Sequence, residues 1–172
     1  MDDDQRRARL ESLFAAHAAV VLAYARRRTD STTADDVLGE VFVIAWRRLE
    51  QIPPEPVAWL LACARHVLAH ARRSEHRRAA LIERLAATPP RTELPAELSD
   101  GVLGRALASL PKRDREVLLL VAWEGLSTHQ AATVLDCSPR TFSMRLHRAR
   151  KRLSAALEVV DGPRPQPLLG DV

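Results

Sequence analysis

The chain has 172 residues, 47% of them apolar and 28% charged, and carries a formal net charge of +4. This is enough apolar material for one packed domain or two small ones, which excludes wholesale disorder. No uninterrupted apolar run approaches the roughly 20 residues a membrane-spanning helix needs, and the acidic start Asp2-Asp3-Asp4 has the wrong charge for a secretory signal, so a cytoplasmic protein without a membrane partner is expected.

Apolar residues recur at spacings of three and four, alternation of period two is missing, and the chain reads as all-α. A first helix is predicted over about 6–28, with Leu10, Leu13, Phe14, Val20, Val21 and Tyr24 as its apolar side. A polar break at 29–33 precedes a second helix, with Thr33 as N-cap and Asp35 and Asp36 in the first turn. Its core stripe is Leu38, Phe42, Ala45 and Leu49, widened by Trp46. Pro53, Pro54 and Pro56 break the chain, and a third helix follows over about 57–85. Trp59, Leu60, Cys63, Val67 and Leu68 form its buried side, and Arg72 to Arg78 is strongly basic.

Residues 86–98 hold three prolines and no sustained periodicity. They read as an extended spacer, reaching roughly 40 Å, so the halves need not touch. Four shorter helices follow: about 99–110, 111–123 closed by Gly125, 127–135 opened by the capping box Ser127-x-x-Gln130, and 138–159 opened by Ser138-Pro139. Residues 161–172 read as a frayed tail. The organisation is two small helical domains, 5–86 and 99–160, joined by a linker over 87–98.

The last two helices have helix-turn-helix spacing. In the second of them, Phe142, Leu146, Ala149 and Leu153 should face inward. No acidic residue occurs from Ser138 to Leu157, whereas a solvated face ordinarily mixes signs. Arg140, Thr141, Ser143, Met144 and Arg145 are the candidate readers of a DNA major groove, and Arg148, Lys151 and Arg152 the candidate phosphate contacts. A merely soluble basic helix is the blander alternative.

On the second helix, Asp36 and Glu40 share a side with Val43 and Arg47, a pattern for a protein contact or for an ordinary solvated face. The third helix carries Arg65, His66, His70, Arg72 and Arg73 beside the proline-rich loop 51–56 and Trp59, a combination suited to single-stranded nucleic acid. Trp46 and Trp59 also read as core residues. Cys63 and Cys137 make no CxxC, and the sequence has no HExxH, no GxSxG and no Gly-rich phosphate loop. Neither a metal, a cofactor nor a catalytic activity is expected.

The segment Asp36-Val-Leu-Gly-Glu-Val-Phe42 with Ala45-Trp46 resembles region 2.2 of bacterial sigma factors. Ala58 to Arg65 and the arginines after it look like regions 2.3 and 2.4, and residues 107–153 are similar to region 4, with "LP…REVLLL…EGLS" and "RLHRAR" as the most specific stretches. Having only these two regions, the chain resembles the extracytoplasmic-function (ECF) group of the sigma-70 family. The resemblance implies a factor that binds core RNA polymerase and directs promoter-specific initiation. Asp36, Gly39 and Glu40 would fall on the contact with the β′ clamp helices. Arg65, His66, His70, Arg72 and Arg73 would capture the melted −10 strand, with loop 50–56 as the pocket for a flipped base. Region 4 would read the −35 duplex and contact the β flap, the spacer would run towards the active-site cleft and RNA exit path, and an anti-sigma protein is an expected partner. Gly39 stands where the family usually has glutamine, His66 and His70 where Asn and Asp are common, and Ser143 and Met144 replace more typical residues, so promoter preference does not carry over. A stand-alone helix-turn-helix regulator of duplex operators is the alternative, and a nucleic-acid-processing enzyme a distant third.

Overall fold

The structure is a computed structural model that describes residues 2–83 and 101–161; side-chain placement is described for 2–74 and 101–160. The spacer 87–98 and nearly all of the tail 161–172 lie outside the described residues. Within them the chain forms seven α-helices, a short 3-10 turn and no strand. The helices are α1 (Asp3–Arg26), α2 (Ser31–Arg47), α3 (Val57–Glu83), α4 (Gly101–Ser109), α5 (Lys112–Ala122), α6 (Thr128–Val134) and α7 (Pro139–Asp161). Helices α1–α3 pack on one another as one module, and α4, α5 and α6 pack on α7 as the second.

Local chemistry sets the helix ends. Asp2 caps α1 in a reciprocal box with Gln5, three residues earlier than periodicity alone suggests. The cap of α2 is Asp30 rather than Thr33. The Asp30 carboxylate accepts the Thr33 backbone N–H at 2.9 Å and its hydroxyl at 2.7 Å, so Thr33 is the donor side of the cap. A carboxylate with two free oxygens outcompetes a hydroxyl for this role and also faces the positive end of the helix dipole. These bonds hold the Asp30 carboxyl below its ordinary range.

The core of the first module is Val21, Tyr24, Ala25, Val37, Val41, Phe42, Ala45, Leu49, Leu60, Leu61, Ala64, Val67 and Leu68. Phe14 and Val20, expected on the apolar side of α1, are 46% and 40% exposed: Val20 is turned about a quarter turn from the side that carries Val21, Tyr24 and Ala25, whereas Phe14 is on that side but only partly covered. Phe14 instead rests edge-on against Phe42, with ring centroids 4.8 Å apart. An 18-residue stretch of α1 has a mean hydropathy of 1.2, enough on composition to span a bilayer even though no unbroken run is long. In the fold that helix packs against α2 and α3, from Arg6 over Trp46 and Phe14 on Phe42 to the buried Val21, Tyr24 and Ala25.

The two modules are in contact. Helix α3 packs against α6, and the buried apolar residues of both modules form one continuous cluster. A long spacer permits separation but does not enforce it. The contact combines the apolar packing of α3 on α6 with two ion-pair clusters: Glu116 of α5 with Arg65 of α3, and Glu124, just after α5, with Arg27 and Arg28, just after α1.

Candidate nucleic-acid and polymerase interfaces

The helix-turn-helix is built as its sequence dictates. Gly125 takes φ +65° after α5, a conformation open to a residue without Cβ. Ser127 and Gln130 close the capping box of α6 from both sides. The turn runs through Asp136 at φ +50°, a left-handed conformation that a short polar side chain tolerates. Ser138 then caps α7: its Oγ accepts the Thr141 backbone N–H at 3.1 Å and lies 2.8 Å from the Thr141 hydroxyl.

Helix α7 buries Phe142, Leu146 and Ala149 and half-buries Leu153, as its spacing predicts. Arg140, Ser143, Met144, Arg145, Arg148, Lys151 and Arg152 are exposed on the remaining surface, and Met144 shows 51% of its area. Thr141 is half-buried and its hydroxyl is engaged at the cap. Arg152 is paired with Asp114 of α5, so it reaches a phosphate only by sharing or leaving that carboxylate.

On α2, Asp36, Gly39, Glu40, Val43 and Arg47 are all exposed and lie on one face, opposite the buried Val37, Val41 and Ala45. A Cβ built on Gly39 would meet nothing within 4 Å. The glycine is therefore not required by packing.

Helix α3 divides its five candidates between two faces. His66, His70 and Arg73 are exposed. Arg65 and Arg72 are half-buried and turned inward: Arg65 Nε donates to Glu116 Oε1 at 2.8 Å, and Arg72 donates to the Arg28 carbonyl at 2.8 Å. Trp46 lies under the Arg6 guanidinium, 4.9 Å from the ring centroid, and is no free stacking platform. Trp59 is half-buried against the core. In the loop after α2, Ile52 is anchored in the core while Gln51, Pro53, Pro54 and Glu55 are exposed. Cys63 is half-buried and burial pushes its thiol up, which suits an inert packing role.

The residues that join the modules have no local signature in the sequence. The side chain of Glu124, only 2% exposed, lies between Arg27 and Arg28, with Arg28 Nη1 at 2.9 Å. The Arg28 guanidinium lies 3.5 Å over the Tyr24 ring. Burial pushes the Tyr24 phenol up to about 12. Lys112 is held below the ordinary lysine range, first by burial and then by the charge of Arg72. The one available hint is that Glu124 is a lone carboxylate directly after the apolar run 117–123.

Comparison with known proteins fits this geometry. The Sigma-70 region 2 family matches residues 13–78, and the Sigma-70, region 4 family matches residues 101–153. The ECF RNA polymerase sigma factor EcfG of Rhodopseudomonas palustris is 32% identical over 75% of this chain and 73% of its own. The RNA polymerase sigma factor CnrH of Cupriavidus metallidurans is 31% identical over 83% and 84%. The ECF RNA polymerase sigma factor SigC of Mycobacterium tuberculosis is 33% identical over 88% and 85%. Among solved structures, the sigma factor RpoE from Bartonella quintana in complex with the anti-sigma factor NepR superposes with TM-score 0.64 at 23% identity, covering 87% of this chain and 96% of that one, a likeness of fold. CnrH in complex with the cytosolic domain of CnrY superposes with TM-score 0.55 at 28% identity, covering 87% and 88%. The chain belongs to the ECF RNA polymerase sigma factors, an alternative sigma factor built of sigma-70 regions 2 and 4 that directs transcription.

Proposed function

We propose that the two modules divide promoter recognition between them. Region 2, within residues 5–86, docks on core polymerase through Asp36, Glu40 and the exposed face around Gly39, and holds the melted −10 strand on α3. Region 4, within 99–160, reads the −35 duplex through Arg140, Ser143, Met144 and Arg145, with Thr141 at the helix start. Arg148, Lys151 and Arg152 hold phosphate. The observation that carries this reading is the exposed, acid-free face of α7, whose helix start is fixed by the Ser138 cap.

Each contact by itself is weak. Polymerase holds the two modules at a fixed separation, which turns them into one selective site through effective concentration. The protein itself changes no bond. It works in the cytoplasm, and an anti-sigma protein is the class of partner that would withhold it from polymerase. A match to region 2 over 13–78 disfavours a stand-alone operator-binding regulator, which would have no use for a polymerase-docking module.

The test is footprinting on a promoter library with and without core polymerase. Protection of paired −35 and −10 segments only when core is present is the expected result. Tight protection of duplex operators by the chain alone would replace this reading with the regulator.

A further inference from the structure

We infer that Met144 reads the C5-methyl group of a thymine in the −35 duplex, so that the promoters this chain selects carry thymine at one fixed −35 position. This inference rests on the division of labour proposed above and adds the base chemistry that the centre of the reading face accepts.

Met144 stands at the middle of that face. Helix α7 buries Phe142, Leu146 and Ala149. At about 100° per residue, Met144 lies roughly 170° around the axis from the middle of that buried stripe. Arg140, one turn back, and Arg148, one turn on, are both exposed, and they flank Met144 at about 40° to either side. Met144 is therefore the residue furthest from the core, and a helix that enters the major groove with this face carries it deepest, between two guanidiniums. It belongs to the second turn of α7, close to the start that the Ser138 cap fixes. That is the part of a recognition helix that meets base edges. Val159, the other exposed large apolar residue of α7 among the described ones, is roughly 22 Å further along the axis.

The chemistry at that point is apolar. A thioether has no donor and only a weakly accepting sulfur. Met144 shows 51% of its area in the free protein, so it gains by leaving water against an apolar group and not by a hydrogen bond. The bases offer one such group in the major groove, the C5-methyl of thymine; their other distinguishing features are polar donors and acceptors. Thr141 also carries a methyl group nearby, but it is half-buried and its hydroxyl is engaged at the cap. The cations around Met144 attract any duplex through its phosphates. The apolar side chain among them supplies discrimination. Salt weakens the phosphate contacts and leaves an apolar contact largely untouched, so the preference for thymine should persist as overall affinity falls.

The experiment uses core polymerase with the full chain on a promoter fragment that the pair protects. Each thymine of the −35 segment, on either strand, is replaced singly by deoxyuridine, which removes the methyl group and keeps the base pair. At least one replacement should weaken binding by wild type about fourfold, the worth of one methyl group withdrawn from water. That loss should fall below about twofold in Met144→Gln, which keeps the reach and is polar, and persist in Met144→Leu, which stays apolar. The ratio of thymine to deoxyuridine affinity should be the same at low and high NaCl. Circular dichroism checks that both variants keep their helicity, and if either does not, the wild-type deoxyuridine and salt series decide. A protected −35 segment without thymine overturns the inference, as does a wild type indifferent to every replacement or a ratio that collapses with salt. So does a loss that persists in Met144→Gln or disappears in Met144→Leu. Core-dependent protection of the −35 segment is read first: its presence without a methyl effect rejects this inference alone, and its absence rejects the division of labour and this inference with it.

Discussion

Arg65 and His66 are neighbours in the chain but lie on different sides of α3: Arg65 reaches across the module boundary to Glu116, while His66 is exposed to solvent together with His70 and Arg73. Successive residues on a helix are about 100° apart, so a basic run of this kind always supplies two surfaces. One of them meets region 4 in this structure and the other is open.

The open surface gives the first expectation. His66→Ala/His70→Ala/Arg73→Ala should impair strand capture and leave core affinity and −35 duplex protection unchanged. Permanganate reactivity of the −10 segment in the assembled complex measures this. Loss of core binding in the triple variant would place these side chains on the polymerase contact instead.

On α7 the expectation separates reading from holding. Arg145→Ala should lose about 1–3 kcal/mol of discrimination at one −35 position if the guanidinium grips a guanine edge. Arg148→Ala should weaken binding uniformly across sequences and reduce the salt slope by about 1. Competition among single-base promoter variants decides it, and a changed preference in Arg148→Ala would exchange the two roles.

Gly39 offers a stability test that is independent of DNA. Nothing lies within 4 Å of an added Cβ, so Gly39→Ala should stabilise α2 by about 0.5–1 kcal/mol through reduced backbone entropy in the unfolded chain. Thermal unfolding should shift upward by a few degrees. Asp36→Arg/Glu40→Arg, on the same exposed face, should keep the fold and lose affinity for core polymerase in a pulldown. Undiminished core binding would remove the clamp assignment.

Asp30 makes part of the fold pH-dependent. Its carboxyl is lowered from 3.8 by the Thr33 backbone N–H first and the Thr33 hydroxyl second. A carboxyl lowered in the folded state adds stability above its unfolded value and loses it as pH falls through the lowered folded value. Asp30→Asn keeps a capping acceptor and removes the titration. Its melting temperature should therefore vary less between neutral and strongly acidic pH than that of the wild type, and identical profiles would show that the Asp30 charge is irrelevant to α2.

These examples show which parts of the structure the sequence could disclose. The Ser127–Gln130 box, the Ser138 cap, the Gly125 turn and the inward stripe of α7 are decided within a few residues, and local chemistry suffices to read them. The cap at Asp30 was displaced from Thr33 because two good cap residues compete within one turn, and the stronger acceptor wins. The exposure of Phe14 depends on how many neighbours α1 has, which is a tertiary fact. The pairing of Glu124 with Arg27 and Arg28 and of Glu116 with Arg65 joins residues 51 to 97 positions apart and leaves no periodic trace. For this reason the candidate −10 residues read from sequence as one basic patch, and the structure divides them.

The most direct test of the whole account is run-off transcription from a library of promoter fragments with core RNA polymerase, with and without the purified chain. Transcripts that appear only with the chain, that start at a fixed distance from paired −35 and −10 segments, and that vanish with Asp36→Arg/Glu40→Arg are the predicted result. A chain that binds no core and yields no dependent transcript from any fragment would contradict it.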